Sequence, residues 1–182
     1  MSNHLSRALL AAAFVALVVP SSALAAGKTL KETLAFIRSS LVEQGKIVYA
    51  IKMHDSADGS DWGQAMTGEA SNVKFDLANC AVSYHWKTES DGKVIQDFDT
   101  SWDLRKGKKV SVGSREDEIR QQAINGGNST WTAIVSPPMW VVSITFTDTA
   151  GVANFTDKSK AEKFARAVDH AMELCGAPKE DF

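Results

Sequence analysis

Apolar residues recur three or four positions apart at Ala161, Phe164, Ala165, Val168, Ala171, Met172 and Cys175, with charged residues between them. This spacing predicts an amphipathic helix over Asp157–Cys175, opened by a Thr156 or Asp157 cap and stopped by Gly176 and Pro178. A second helical stripe, Leu30, Leu34, Ile37 and Leu41, follows the capping-box pattern Thr29-Leu30-Lys31-Glu32 and predicts a helix over Leu30–Gln44.

Between the two helices the period changes to two. Ile47–Met53 reads as a strand, and His54–Ala70 as a mobile loop or a hairpin with a wide tip. Val73, Phe75 and Leu77 mark a further strand, and Cys80, Val82, Tyr84 and Trp86 another. Val94, Phe98, Trp102 and Leu104 are expected on the core face of the next, with Asp97, Asp99, Ser101 and Asp103 on its wet face. Lys106-Gly107 turns the chain into Val110 and Val112. Gly113–Asn128 is a long loop or a short inserted helix, and Trp131–Val135, Trp140–Thr147 and Val152–Phe155 complete the strands. The sum is an α+β domain: about seven antiparallel strands in a bent sheet or partly open barrel, with an N-terminal helix and a C-terminal capping helix.

This order resembles the pleckstrin-homology-like superfold. The resemblance rests on Trp140–Thr147, a turn, Val152–Phe155, and then the helical run Lys160-Ala161-Glu162-Lys163-Phe164-Ala165-Arg166-Ala167-Val168. It implies a bent antiparallel sheet plugged at one end by the last helix, and it covers Ile47–Cys175. Phe164 stands where that family usually has Trp, and His54–Ala70 lacks the basic cluster such domains use for phosphoinositides. The resemblance therefore implies a fold and no activity.

The first residues read as an address. Arg7, the apolar run Ala8–Val19, Pro20 and the small-residue site Ala23-Leu24-Ala25 predict a secretory signal over residues 1–25, cleaved to leave one domain over 26–182. No other membrane span is expected. The chain carries 20 Lys+Arg against 22 Asp+Glu. That balance argues against nonspecific nucleic-acid binding and against docking on an anionic membrane by charge alone. In an exported chain the two cysteines, Cys80 and Cys175, read as one disulfide, since both sit in register with core-facing residues.

Candidate chemistry is sparse. Asp55, Asp58 and Asp61 lie three apart, with Gly59 one place early for a calcium loop, and read as a solvated turn. His85 shares a strand face with Ser83 but has no evident carboxylate and oxyanion site. Asp97 and Asp99 could be a glycosidase pair, yet lie on the wet face without an apolar pocket to raise either pKa. Asn128-Ser129-Thr130 and Asn154-Phe155-Thr156 fit the glycosylation acceptor. No catalytic, cofactor-binding or metal-binding residues are assigned.

Possible partner contacts are Trp62 and the basic group Arg105, Lys106, Lys108 and Lys109, together with the Gly113–Asn128 segment. The expected function is a non-enzymatic periplasmic or cell-envelope module that binds an envelope protein or has a structural role. The alternative is a carrier of a small apolar ligand held between the sheet and the last helix, suggested by Trp86, Trp102, Trp140 and Phe164. A hydrolase is a third reading without an identifiable site.

Overall fold

Thr29 begins the first helix as its sequence demands. Its hydroxyl accepts from the Glu32 amide at 3.3 Å, and its own amide donates to Glu32 Oε2 at 2.8 Å. The computed structural model describes residues 28–178, so the expected signal over residues 1–25 lies outside the described residues. Helix α1 (Leu30–Gln44) buries Thr33, Leu34, Ile37 and Leu41 and ends at Gly45, which takes a φ of 54° that few side chains tolerate.

Four strands then run as an antiparallel meander: β1 (Lys46–Asp55), β2 (Asp61–Asp76), β3 (Ala81–Ser90) and β4 (Lys93–Asp103). The segment expected as a loop or wide hairpin is a hairpin whose strands pair almost to the tip, with His54 opposite Asp61. The clustered acids serve this turn: Asp55 accepts from the Ala57 amide and Asp58 from the Ser60 amide. Asp55 also accepts from the Thr130 hydroxyl and from Trp131 Nε1 at 2.7 Å. These bonds, Thr130 foremost, hold its carboxyl below the ordinary range.

After β4 a single turn of 3-10 helix, Leu104–Lys106, swings the chain into β5 (Gly107–Ser114), which does not pair with β4. Helix α2 (Arg115–Asn125) follows, settling the Gly113–Asn128 segment as an inserted helix. It leads into β6 (Trp131–Ser136), which returns to pair antiparallel with β1. Then come β7 (Trp140–Phe146), β8 (Ala150–Phe155) and α3 (Lys158–Leu174).

Among the described residues there are thus eight strands rather than seven, and two sheets rather than one. The larger has the order β4-β3-β2-β1-β6 and the smaller β5-β7-β8, and they are not closed into a barrel. The register explains why a single sheet does not form. The 3-10 turn separates β4 from β5, so each becomes the edge of its own sheet.

Helix α3 seals the main core. Ala161, Phe164, Val168 and Ala171 are fully buried there with Trp102, Leu104, Val142, Ile144 and Phe155. Phe164 meets the Phe155 ring at 5.0 Å and the Trp102 ring at 6.4 Å between centroids. Gly107 lets β5 come close, since a Cβ at that position would lie 2.4 Å from the Met172 methyl. The helix ends at Gly176, φ 76°, with the Ala177 amide donating to the Met172 carbonyl.

The Cys80–Cys175 disulfide joins the end of α3 to the turn before β3, with Cα atoms 5.9 Å apart. The pairing is as expected, but Cys80 lies in the turn at φ 49° instead of opening the strand. A second, smaller cluster of Ile47, Tyr49, Ile51, Met66, Ile119, Val135 and Met139 fills the other end beneath α2. Among the described residues no helix is long and apolar enough to cross a membrane.

Candidate groove between the two sheets

The β4 strand departs most from expectation. Trp102 and Leu104 are buried, whereas Val94 is 51% and Phe98 46% exposed. A register shift pairs Thr88 with Gln96 but Glu89 with Val94. Ile95 is the extra residue, and the bulge breaks the alternation that would have put Val94 beside Phe98.

Beyond that bulge the inner face of the larger sheet can be read from its register. Tyr49 opposes Met66, Trp86 opposes Phe98, Tyr84 opposes Thr100, and Val82 opposes Trp102. Because β4 and β8 are unpaired edges of different sheets, the space between them stays open. It forms a groove of about 400 Å³, floored by Tyr49, Met66, Tyr84, Trp86, Phe98 and Trp102. The opposite wall is made by Ala150, Gly151, Val152 and Asn154 of β8, together with Arg115 at the start of α2.

Two glycines allow the aromatic floor to lie where it does. A Cβ on Gly68 would sit 3.1 Å from the Trp86 ring, and one on Gly151 would sit 2.6 Å from Trp102 Nε1. Trp102 is 1% exposed, with little room to give way to a side chain at Gly151. We expect Gly151→Val to destabilise the protein by about 1–3 kcal/mol in urea denaturation. An unchanged midpoint would mean that β8 does not press on the indole.

The polar groups of the groove are unevenly satisfied. The Tyr84 hydroxyl donates to the Val152 carbonyl at 3.2 Å, tying β3 to β8. Burial pushes its phenol well above the ordinary range, partly offset by the neighbouring Trp102 indole, so it stays a donor. Arg115 Nη1 donates to Glu118 Oε2 at 2.9 Å. Its Nε is buried without a partner, and so are Trp102 Nε1 and Asn154 Oδ1.

The residues singled out in the sequence lie elsewhere. Trp62 is half exposed near the β1–β2 tip, outside the groove lining. The basic group spans the crossover turn between the sheets. Arg105 pairs with Asp103 at 2.8 Å and Lys106 with Asp148 at 2.9 Å, which leaves Lys108 and Lys109 as exposed cations on β5. Trp102 and Phe164 occupy the core, while Trp86 and Trp140 are only partly buried beside it. The space between the sheets and α3 is therefore filled by side chains.

The histidines bind locally. His85 does meet carboxylates, with Nε2 2.9 Å from Asp97 and Nδ1 3.0 Å from Asp99. This cluster is on the outer face, where Asp99 is 92% exposed. His54 contacts Asp61 at 2.9 Å, and His170 contacts the Lys28 carbonyl at 3.1 Å. Among the described residues no three His, Cys, Asp or Glu side chains are grouped to hold a metal ion.

Nothing in the sequence pattern singles out Arg115 at the start of α2, and it marks Asn154 as a glycosylation acceptor alone. Compared with protein-family models, curated proteins and solved structures, the chain matches none of them.

Proposed function

We propose that this protein is a non-enzymatic, exported binding module of the periplasm or cell envelope, and that the groove between β4 and β8 is its binding seat. The observation that carries the reading is the aromatic floor left open between two sheet edges. Trp86 and Phe98 keep accessible surface there, although the main core beside them is fully packed. Large rings held on a rigid sheet contribute contact area at little entropic cost, which suits recognition.

Export is supported by the disulfide, which persists in oxidising compartments, and by the leader pattern of Arg7, Ala8–Val19 and Ala23-Leu24-Ala25. We further propose a pleckstrin-homology-like arrangement. Its support is the element order: a four-stranded meander, then β5, β7 and β8, then a closing helix, with α2 and β6 as an insertion. The small-ligand alternative is favoured by one observation, the groove volume of about 400 Å³, which is within the range of small-molecule sites. Such a ligand would sit against β8, away from the filled space under α3.

The test uses an Ile95→Glu/Phe98→Glu variant, which changes one floor ring and one neighbouring side chain of the groove, both about half exposed. Wild type and variant are recovered from envelope extract, and the protein and small-molecule contents of each are compared by mass spectrometry. We expect wild type to retain a component that the variant loses. Identical contents would remove the groove from the function.

A further inference from the structure

We infer that the groove takes a small planar aromatic carboxylate, with its ring on Trp86 and Phe98 and its acid group on Arg115. This rests on the groove being the binding seat, and it specifies the chemistry of the occupant. The inference starts from the unpaired polar atoms of the groove, Arg115 Nε above all. Burying a donor or acceptor without a partner costs more than a typical hydrogen bond returns, so such atoms are rare unless something completes them. Of the buried unpartnered side-chain atoms among the described residues, Arg115 Nε, Trp102 Nε1 and Asn154 Oδ1 belong to residues that line this one groove, and of these only Arg115 carries a charge.

Arg115 is held for the task. Its Nη1 is occupied by Glu118 Oε2, and Glu118 Oε1 in turn accepts from the Ser143 hydroxyl at 3.4 Å. The guanidinium is thereby anchored through one nitrogen, while Nε, buried beside the groove, has no partner. A donor with delocalised positive charge selects an acceptor with negative charge, and a carboxylate fits the planar edge of a guanidinium. On the same wall Asn154 Oδ1 is an acceptor, so it calls for a donor such as water and leaves the acid group to Arg115. The opposing floor is aromatic, with Tyr49, Tyr84, Trp86 and Phe98, and favours a flat apolar body over a branched one.

A protein partner is disfavoured on the same grounds, because a macromolecular surface rarely inserts both a ring and an acid into a 400 Å³ recess. A second copy pairing edge to edge through β4 would bring Asp97 and Asp99 of each chain together on an already acidic strand, which is unfavourable.

The experiment is calorimetric titration of the purified, oxidised protein with 2-naphthoate and, separately, with the neutral isostere 2-naphthalenemethanol. We expect naphthoate to bind about tenfold more tightly than the alcohol, the usual worth of one charge-assisted hydrogen bond. Arg115→Met should abolish that preference while leaving the alcohol's affinity unchanged, and Phe98→Ala should weaken both. Thermal melting confirms that each variant is folded, and the comparison of the two probes on wild type does not depend on any variant.

Equal affinity for the two probes, lost in Phe98→Ala, would overturn the carboxylate assignment and leave the groove as a seat for apolar groups. Absence of binding by either probe would overturn both. A concentration-dependent dimer that blocks the probes would assign the groove to a second copy, and would also overturn the inference.

Discussion

Replacing Cys80 by Ser is expected to lower the stability of the protein by about 3–5 kcal/mol. The bond closes a loop between positions 95 residues apart, long enough for the chain-entropy effect to be near its upper range. The loop contains β3 through α3, so the unfolded chain without the bond regains freedom over most of the domain. Two further effects act in the folded state. Cys175 caps the helix that seals the core, and the Cys80 carbonyl accepts from the Leu104 amide at the start of the crossover turn. Urea denaturation of Cys80→Ser, Cys175→Ser and the double variant should give nearly the same loss, since any one substitution breaks the bond. Dithiothreitol should destabilise wild type by a similar amount and leave the variants unchanged. Equal stability of wild type and variants would mean that the helix is held by packing alone.

Trp102→Ala should be about as costly, at roughly 3–5 kcal/mol. The indole is 1% exposed and meets Tyr84 edge-on at 5.1 Å between centroids, with Phe164 beyond it and Gly151 against its edge. Removing it opens a cavity whose walls are a disulfide-anchored helix and two sheets, none free to collapse. It also removes part of the groove floor, so any ligand affinity should fall with stability. Trp62→Ala is the contrast: that ring is 49% exposed, and its loss should stay within about 0.5 kcal/mol. A Trp62 variant as unstable as the Trp102 variant would contradict the division between core and surface aromatics drawn above.

Both helices were legible because each carries its own signals. Thr29 and Glu32 mark one start, the Phe164–Val168–Met172 stripe needs a surface to cover, and Gly176 marks one end. The strands were harder, for local reasons. The first half of β2 contains Gly63, Gln64 and Gly68 and reads as loop, yet β1 offers it a full register and Trp86 requires the small residue at Gly68. In β4 the bulge at Ile95 inverts the faces, and no residue type announces it. The split into two sheets turns on three residues, Leu104–Lys106, which read in the sequence as an ordinary turn.

The groove could not be assembled from sequence because its members come from distant positions. Tyr49, Trp86, Phe98, Arg115 and Asn154 belong to five different elements. Only the pairing of β1 with β6, and the failure of β4 to pair with β5, bring them around one opening. The signal that could have pointed to it was the surplus of large rings on one side of the β3–β4 pair. The pattern read that surplus as core.

The groove's location is tested most directly by the indole N–H resonances of the five tryptophans. With 2-naphthoate added to the oxidised protein, the Trp86 and Trp102 signals are predicted to shift with increasing probe. Those of Trp62 and of Trp131, which donates to Asp55, are predicted to stay fixed. Shifts at Trp62 with Trp86 and Trp102 unmoved would place binding at the hairpin tip and contradict the account.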